Sequence, residues 1–585
     1  MRELTPLPLA GASINALVEH WARQQPDADA FIFLGAENVE KERLTFVQVE
    51  QAGRGLARTL RAHAPPFSHV LLMFEPGLAF VIAFFACHQA GMVPVPVVPV
   101  RKGRMRDAAV AVARDCQPGL LLCAPGQMAF VREALADDDV LRELPVIEIG
   151  IEQAMAADAF GGGQTASETP LAFLQYTSGS TSMPKGVIVS QANLFANLEM
   201  QRLAMRNPWG ANYVGWAPLY HDMGLIANML EPFYLGGRCV LMAPAHMAQA
   251  PWLWLRAVSD YRAHTSGGSN FAYELCLQRA ARILAQPLDL SCWKVAFNSA
   301  EPVRADTIER FCTTFAGVGF ERRTMYPCFG LAEATLLVSG GGDRLRPMLY
   351  QASKSLLEKG IVAPPVSAGD ARTLVGCGAP MEGEDIAIVD PATGHAQPPG
   401  RIGEIWVHGP HIPAGYWNNF AASAETFHAV LEGDPGRVPH LRTGDLGFLD
   451  DGELYVTGRR KDLLIVRGRN LYPQDIERTA QAAYPGLGTV VAFSLDDDRV
   501  GLVVEVDRHS RRKFDLLPAA EAVRQAVMQE FEVSLHAVRF VAPGSVPVTS
   551  SGKVRRKETQ RRHVANALEE VGATAHYQSI STEAS

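Results

Sequence analysis

The sequence has 585 residues, and at about 150 residues per domain this length predicts three or four compact units. Its 48% hydrophobic and 20% charged residues exclude fibrous and wholly disordered chains. The formal net charge of −8 argues against nucleic-acid binding, because no global basic field gathers phosphates. Nine scattered cysteines without metal-ligand spacing predict neither a zinc site nor a disulfide framework, and they fit a reducing cytoplasm.

The first 150 residues alternate between helical and strand patterns. Apolar spacing predicts a helix over residues 14–24, a strand over 31–34 and a helix over 44–63. A strand, the apolar helix 78–87 and the strand 93–98 continue the alternation, which is typical of a doubly wound sheet. The apolar helix is about half the roughly 20 residues that a bilayer requires, so we expect no integral membrane segment. The first residues predict no secretory signal.

The pattern changes twice along the rest of the chain. The polar, turn-rich segment 158–170 precedes the strand LAFLQYT. Residues 382–456 contain short β-rich runs between Pro, Gly and Asp turns, which predicts a small barrel or meander. From about residue 462, helices around 475–484 and 518–531 alternate with three strands. We therefore expect a separate C-terminal α/β domain.

One loop, YTSGSTSMPKG at 176–186, has the composition of a polyphosphate site. Hydroxyls, two glycines and a lysine supply donors for phosphate oxygens without bulky side chains. The loop does not match the Walker A pattern, and a strand rather than a helix follows it. The alternative is an ordinary polar surface loop. The candidate phosphate contacts are Thr177, Ser178, Gly179, Ser180, Thr181 and Lys185.

This loop resembles the phosphate loop of the adenylate-forming superfamily, which includes acyl-CoA synthetases, luciferases and the adenylation domains of peptide synthetases. Further motifs of that superfamily follow in order up to residue 557: APLYHDMGL, FNSAEPV, FGLAEAT, LRTGDLG, GRRKDLLIVRGRNLYPQDIE and PVTSSGKVRRK. The resemblance implies an α/β fold whose large N-terminal domain, residues 1–457, has two doubly wound subdomains and a small β-barrel-like subdomain. A hinge at 458–461 then leads to a smaller, mobile C-terminal α/β domain, 462–585.

The resemblance also implies an ATP site that uses Mg²⁺. Asp445 would hold the ribose hydroxyls, and Arg459 the ribose or phosphate. Glu333, with Thr181 as a second contact, would bind the Mg²⁺ that bridges the phosphates. The adenine side would be formed by Ser299, Ala300, Glu301, Phe329 and Gly330.

The chain departs from the family pattern near the adenine ring. Phe329 stands where the family usually has Tyr, so stacking is retained and the hydroxyl contact is lost. Tyr326 is either a substitute for that contact or a core aromatic residue. A second departure is Gln191, where the family usually has His. Neither departure removes a charged catalytic group.

Three residues are implied to act on the reacting groups or on domain movement. Lys553 would neutralise charge on the carboxylate and the α-phosphate, whereas its neighbours in the run Arg555–Lys557 are expected to be solvated. Lys461 falls at the hinge. His221 would lie near the substrate carboxylate, or else be a structural histidine. Asp222 is expected to be a helix cap.

The substrate implied by the resemblance is a fatty acid. Amino-acid-activating domains carry an FDxS segment, which PLYHDMGL replaces here, so no acid is provided for an amine. Residues 269–280 predict a helix beside the acyl pocket, with Gly268 and Phe271 in its wall. Apolar helices are more often simply core, so the preference for an aliphatic tail depends on the resemblance.

An insertion at about 343–376 with helix-like content resembles that of the fatty acyl-AMP ligases, in which it keeps the C-terminal domain from a CoA-competent position. Those enzymes transfer the acyl group to the phosphopantetheine thiol of a separate acyl carrier protein. A passive surface elaboration is the alternative for the insertion. The corresponding alternatives for the protein are an acyl-CoA synthetase and a non-catalytic acyl- or nucleotide-binding homologue. A serine hydrolase is disfavoured because the chain has no GxSxG motif.

Replacing Lys553 by alanine should abolish acyl-adenylate formation, with a rate loss of about 10²–10³-fold or more, because one charge-stabilising group is removed from the transition state. ATP binding should be largely retained. Single-turnover formation of acyl-AMP and ATP binding by calorimetry check the two halves of this prediction. Adenylation at the wild-type rate by Lys553→Ala would contradict the role given to this lysine.

Overall fold

The structure of the protein is a computed structural model. It describes residues 4–6, 8, 11–99, 106–157, 169–177, 184–341, 347–496, 499–508, 510, 514–548 and 553–571. Within these residues no helix combines the length and the apolar character needed to cross a membrane.

The first part of the chain forms helices around a parallel sheet. Four strands pair in parallel in the order β4, β3, β5, β6. Helix α3 beside them is almost entirely buried, as its apolar run from Leu78 to Cys87 predicts. The elements are α1 (Ile14–Gln24), β1 (Asp29–Leu34), β2 (Glu40–Thr45), α2 (Phe46–His63), β3 (His69–Met73), α3 (Leu78–Ala90), β4 (Val93–Pro96), α4 (Arg106–Cys116), β5 (Leu120–Cys123), α5 (Met128–Leu135), β6 (Val146–Glu148) and α6 (Ile151–Ala157).

The second part contains a seven-stranded sheet in the order β13, β12, β11, β9, β10, β1, β2, parallel except for β2. A π-helix, Met223–Leu230, precedes α8. The elements are β7 (Leu171–Thr177), β8 (Lys185–Ser190), α7 (Gln191–Ala204), β9 (Tyr213–Gly215), α8 (Glu231–Tyr234), β10 (Cys239–Met242), α9 (Pro244–Gln249), α10 (Trp252–Asp260), β11 (Thr265–Gly268), α11 (Asn270–Gln278), α12 (Ala280–Leu284), β12 (Val295–Asn298), α13 (Ala305–Phe315), β13 (Met325–Pro327), β14 (Phe329–Gly330) and β15 (Leu337–Gly340).

The third part is mainly antiparallel and matches the predicted β-rich segment. Strands β19, β20, β22 and β21 form a sheet, and β23 also pairs with β22. The elements are β16 (Leu349–Ser353), α14 (Lys354–Leu357), β17 (Ala371–Val375), β18 (Ala379–Pro380), β19 (Asp385–Val389), β20 (Gly403–His408), α15 (Phe420–Phe427), β21 (Ala429–Val430), β22 (Pro439–Asp450) and β23 (Glu453–Arg459).

The insertion has less helix than its sequence predicts. Strands β16 and β17 pair in register from Leu349 with Val375 to Ser353 with Ala371, and α14 contributes only four residues. The apolar spacing of KSLLEK is helical, but β-pairing on either side confines the helix to one turn. The expectation of helix-like content is therefore wrong for most of this segment.

The C-terminal part is the predicted α/β unit. Its sheet pairs β26 with β27 antiparallel and β27 with β28 parallel, and apolar residues of α16 and α17 share its core. The elements are β24 (Leu464–Val466), β25 (Arg469–Leu471), α16 (Pro473–Ala482), β26 (Leu487–Asp496), β27 (Arg499–Val506), α17 (Leu516–Phe531), β28 (Leu535–Val541) and α18 (Arg556–Val564).

Truncation of a buried ring in α3 tests how much this helix stabilises the N-terminal part. Phe84 is fully buried and contacts Phe80, Phe85 and Phe173. Phe84→Ala should cost about 3–5 kcal/mol of unfolding free energy, through lost burial and a residual cavity. Denaturant unfolding followed by tryptophan fluorescence measures the loss. Phe420→Ala, at a ring 87% exposed, is the control and should change little.

Candidate active site

Four adjacent parallel strands deliver their carboxyl ends to one edge of the seven-stranded sheet. The order is β9, β11, β12, β13, and the segments that follow them contain most of the predicted site. In open α/β sheets, ligands bind outside this edge. The predicted residues found there are His221, Gly268, Ser299, Ala300, Glu301, Phe329 and Gly330.

The segment after β12 links the predicted adenine loop to the predicted acyl helix. Ala300 has a left-handed backbone with φ of 71°, a conformation that costs energy for a residue with a Cβ. The amide of Ser299 donates to the carbonyl of Gly268 at 3.1 Å. Glu301 Oε1 accepts from the backbone N–H of Phe271 at 2.6 Å. Glu301 thus anchors the first turn of α11.

The two predicted acyl-pocket residues differ in their surroundings. Gly268 is buried, and a Cβ there would lie 2.2 Å from Trp216 Cζ2, so close packing requires glycine. Phe271, by contrast, is 40% exposed. Phe329 is only 9% exposed and packs in the main core cluster.

Glu333 lies in a tightly fixed turn. It is the middle residue of a 3₁₀ turn, Ala332–Ala334. Thr335 follows with φ 64° and ψ −64°, and Leu336 N–H donates to the Ala334 carbonyl at 2.7 Å, which makes a strained classic γ-turn. The buried Thr335 hydroxyl donates to the His411 carbonyl at 2.6 Å and holds this geometry. The backbone of Glu333 is therefore closely constrained.

The structure describes the two ends of the predicted phosphate loop. Thr177 ends β7 and pairs with Lys185, the first residue of β8, so the predicted strand after the loop is confirmed. The Lys185 ammonium lies 4.7 Å from the centroid of the Tyr416 ring. The remaining predicted contacts lie outside the described residues: Ser178, Gly179, Ser180 and Thr181.

The predicted ribose site is an ion pair between neighbouring strands. Asp445 on β22 pairs in register with Arg459 on β23, and Arg459 Nε donates to Asp445 Oδ1 at 3.1 Å. Burial raises the pKa of the Asp445 carboxyl, although Arg459 and then Lys461 oppose this shift. A buried carboxylate beside one arginine can accept two ribose hydroxyls.

Lys553 reaches this site from the C-terminal part. Removal from solvent lowers the pKa of its ammonium. The charged groups that act on Lys553 through space are Asp222, Arg459, Glu301 and Asp445, named from the strongest. The Lys553 ammonium therefore lies near carboxylates from three separate segments of the N-terminal part.

His221 and Asp222 form a close pair in the segment that follows β9. His221 Nδ1 lies 2.5 Å from Asp222 Oδ1. The same carboxylate oxygen accepts from the Met223 N–H at 2.6 Å, so the predicted cap is present. Burial opposes ionisation of Asp222, but His221 and Lys553 outweigh it and lower the pKa of this carboxyl. Asp222 is thus a charged neighbour of the site as well as a cap.

The predicted hinge residue, Lys461, is the second residue after β23. Lys461 is in the 3₁₀ turn Arg460–Asp462. Burial lowers the pKa of the Lys461 ammonium, and the nearby Arg459 lowers it further. Lys461 also interacts with Asp445 and Glu333 through their charges, so the predicted hinge residue lies near the carboxylates predicted to bind the ribose and the metal.

Arg556 corrects the expectation of a solvated run after Lys553. Its guanidinium pairs with Asp462 at 3.3 Å and with Glu477 at 2.6 Å. Arg556 Nε also donates to the carbonyl of Ala492 at 2.9 Å. Two carboxylates and one carbonyl hold this side chain largely out of solvent, whereas Arg555 and Lys557 are exposed as expected.

The family model described as AMP-binding enzyme matches residues 18–417. The chain belongs to the AMP-binding enzyme family. A second model, Disco-interacting protein 2-like, AMP domain, matches residues 461–572.

Relatives that match over nearly the whole chain are fatty-acid ligases. The medium-chain-fatty-acid–[acyl-carrier-protein] ligase JamA of Moorena producens is 35% identical over 95% of both chains. The long-chain-fatty-acid–AMP ligase FadD26 of Mycobacterium tuberculosis is 33% identical over 95% of this chain and 98% of its own. The fatty acyl-adenylate ligase from L. pneumophila, solved with acyl adenylate and pyrophosphate, is 34% identical, covers 95% of this chain and 96% of its own, and has a TM-score of 0.73. This AMP-binding enzyme is an ATP-dependent ligase related to the fatty acyl-AMP ligases.

The donor set in this ligase suits a magnesium ion that is bound together with nucleotide. Among the residues that the structure describes, no group of three His, Cys, Asp or Glu side chains could hold a metal ion. Glu333 Oε1 accepts a hydrogen bond from the Tyr416 hydroxyl at 3.0 Å. Mg²⁺ is commonly held by one or two carboxylates with substrate phosphates, so a single glutamate fits this pattern. Tyr416 had no place in the sequence-based site.

Asp445→Asn tests the ribose site. The amide keeps the shape but lacks the charge that pairs with Arg459 and accepts two hydroxyls. ATP affinity should fall roughly tenfold to hundredfold, as expected for hydrogen bonds to a charged group. Calorimetry with ATP in the absence of fatty acid measures this change. Asp385→Asn is the matched control, because Asp385 pairs with His440 at 3.2 Å on an exposed strand edge; equal losses in both variants would contradict the assignment.

Proposed function

We propose that this ligase activates a fatty acid with ATP and transfers the acyl group to the phosphopantetheine thiol of a separate acyl carrier protein. The observation that carries the proposal is the in-register ion pair of Asp445 with Arg459 at 3.1 Å, with which Lys553 of the C-terminal part interacts through its charge. The names of JamA and FadD26 support a fatty acid as the substrate, and the name of JamA supports an acyl carrier protein as the acceptor. The free, largely buried cysteines support a reducing compartment, for which we propose the cytoplasm.

In the first step, a carboxylate oxygen of the fatty acid attacks the α-phosphorus of ATP. The bond from the α-phosphorus to the bridging oxygen breaks, and pyrophosphate leaves. Lys553 would balance negative charge where the carboxylate meets the phosphate, and His221 would line the approach of the acid. Asp445 and Arg459 would orient the ribose, so that the α-phosphate faces the acyl side.

The bound magnesium ion would supply charge neutralisation on the phosphates during this step. Glu333 is the residue proposed to hold it, with Thr181 as a second contact. Lys185 would add a protein cation at the phosphate loop. Together, these groups would bind the triphosphate and offset its negative charge.

In the second step, the carrier thiol attacks the carbonyl carbon of the acyl adenylate. The bond between the carbonyl carbon and the phosphate oxygen breaks, AMP leaves, the thiol proton passes to solvent, and a thioester remains on the carrier. A rotation at the hinge around Lys461 would withdraw Lys553 and open this side to the thiol.

Contacts between the insertion and the C-terminal part support a carrier as acceptor rather than CoA. Glu358 holds Arg469 through two hydrogen bonds of 2.7 and 3.1 Å. Glu358 also accepts the Asn470 N–H through its backbone carbonyl at 3.0 Å. These contacts attach the end of the α14 turn to the hairpin β24–β25. The insertion would thereby limit how far the C-terminal part rotates and keep it from the position that admits CoA.

Two further ion pairs reinforce this attachment. Arg372 on β17 pairs with Asp475 on α16 at 3.2 Å, and both side chains are largely buried. The Arg372 guanidinium also lies 4.5 Å from the centroid of the Tyr472 ring. Lys354 pairs with Glu530 on α17. The buried pair of Arg372 with Asp475 is costly to break. Together with the contacts of Glu358 and Lys354, it binds the insertion to the C-terminal part at three places.

The proposed function is tested by incubating the ligase with ATP, Mg²⁺, a panel of fatty acids and CoA. Acyl-AMP should accumulate without acyl-CoA, and a phosphopantetheine-bearing carrier should then accept the acyl group. Mass spectrometry identifies each product and the preferred chain length. Efficient acyl-CoA formation would favour the acyl-CoA synthetase alternative, and the absence of any adenylate would favour a binding homologue.

Loosening the insertion should change the acceptor. In the double variant Glu358→Ala and Arg372→Ala, lost ion pairs should free the C-terminal part, and the ratio of acyl-CoA to acyl-AMP should rise several-fold. The control is Arg23→Ala, which removes an exposed i,i+4 pair with Glu19 of little energetic value. Limited proteolysis reports whether the contact has loosened. A loosened contact with an unchanged product ratio would identify the insertion as passive.

A further inference from the structure

Tyr416 is attached by its backbone to the strand that leaves the phosphate loop. The Ile188 N–H donates to the Gly415 carbonyl at 3.0 Å, and the Trp417 N–H donates to the Gly186 carbonyl at 2.7 Å. These bonds place the segment Gly415–Trp417 alongside β8. Its position is therefore coupled to Lys185, at the start of the same strand.

The side chain of Tyr416 contacts two charged residues of the proposed ATP site. Its hydroxyl donates to Glu333 Oε1 at 3.0 Å, across 83 residues of sequence. The Lys185 ammonium lies over its ring at 4.7 Å from the centroid, within the range of a cation–π contact. One aromatic residue thus connects the proposed metal ligand with the phosphate-loop lysine.

The ring itself is well fixed. Tyr416 is 6% exposed and meets Phe427 edge to face at 5.0 Å. The ordinary pKa of a tyrosine hydroxyl is about 10, so Tyr416 donates this hydrogen bond in its neutral form at physiological pH. Its bond to Glu333 leaves Oε2, which has no hydrogen-bond partner among the described residues, for another ligand.

Backbone and side chain of Glu333 are fixed by different neighbours. The strained turn at Thr335 and its bond to His411 hold the main chain. Tyr416 alone, among the described residues, donates a hydrogen bond to the carboxylate. A carboxylate that is oriented before binding loses less conformational freedom when it meets a cation, and partners that orient a metal ligand commonly contribute to metal affinity.

We propose that Tyr416 is a positioning residue that presets the Glu333 carboxylate for magnesium–ATP and couples it to Lys185 of the phosphate loop. The inference rests on the proposed ATP site, but it assigns to Tyr416 two separable effects. The hydroxyl acts on metal affinity through Glu333. The ring acts on nucleotide affinity through Lys185.

The test measures binding without fatty acid and without turnover. Mn²⁺ binding to the full-length ligase is followed by electron paramagnetic resonance in the presence of an α,β-methylene analogue of ATP. Tyr416→Phe should weaken Mn²⁺ binding about tenfold, in the lower range for removal of a partner that orients a ligand. Its affinity for the metal-free nucleotide should stay near that of the wild type, since the ring remains. Tyr416→Leu should weaken both.

Tyr234→Phe is the matched control. Tyr234 is buried, and its hydroxyl likewise donates to a carboxylate, Glu199 Oε2, at 2.9 Å. This variant should leave Mn²⁺ and nucleotide binding unchanged. Thermal unfolding of both phenylalanine variants reports the structural cost of losing a buried hydroxyl.

Two outcomes would overturn the proposal. One is unchanged Mn²⁺ affinity in Tyr416→Phe, whatever its thermal stability. The other is an equal loss in Tyr416→Phe and in Tyr234→Phe, which would indicate a general structural effect. In Glu333→Gln the additional Tyr416→Phe change should have little further effect on Mn²⁺, because the two residues act as a unit. Wild-type ligase that binds metal and nucleotide but forms no acyl-AMP would refute the proposed function and leave the role of Tyr416 open to the same measurement.

Discussion

This ligase depends on charge pairing at the junction of its two main parts, where oppositely charged groups are largely removed from water. The Lys553 ammonium comes from the C-terminal part, and its strongest carboxylate neighbour, Asp222, comes from the N-terminal part. An isolated buried charge is costly, and a partner of opposite sign reduces that cost. Contact between the two parts therefore completes the electrostatics of a site that neither part forms alone.

The parallel sheet explains why the N-terminal groups converge. Strands β9, β11, β12 and β13 end side by side, and each continues into a segment with a candidate residue. The alternation of apolar strands and helices is readable in the sequence, so the fold class and most elements were predictable. The order of the motifs then predicted nucleotide contacts for both Asp445 and Arg459. The in-register pairing of β22 and β23 explains why these two residues are in contact.

Contacts between distant residues were not predictable from one sequence. Tyr416 lies 83 positions from Glu333, and nothing in the run HGPHIPAGYW indicates which carboxylate its hydroxyl reaches. Arg556 looked like one cation in a basic run, because its partners Asp462 and Glu477 come from elsewhere in the chain. The insertion was misread since local helical spacing competes with strand pairing, and pairing is decided by residues outside the local window.

The position of Arg556 has a consequence for the order of events in the catalytic cycle. Arg556 lies three residues after Lys553 and is bound to Asp462, next to the proposed hinge residue Lys461. The segment that carries Lys553 is thereby bound to the residue next to the proposed hinge, so the two would move together. Rotation at the hinge would carry the ammonium away by a fixed arc, so the enzyme could not keep its adenylating cation in place while it admits the thiol. Activation and transfer could then not occur at the same time, and the acyl adenylate would remain bound until the C-terminal part rotates.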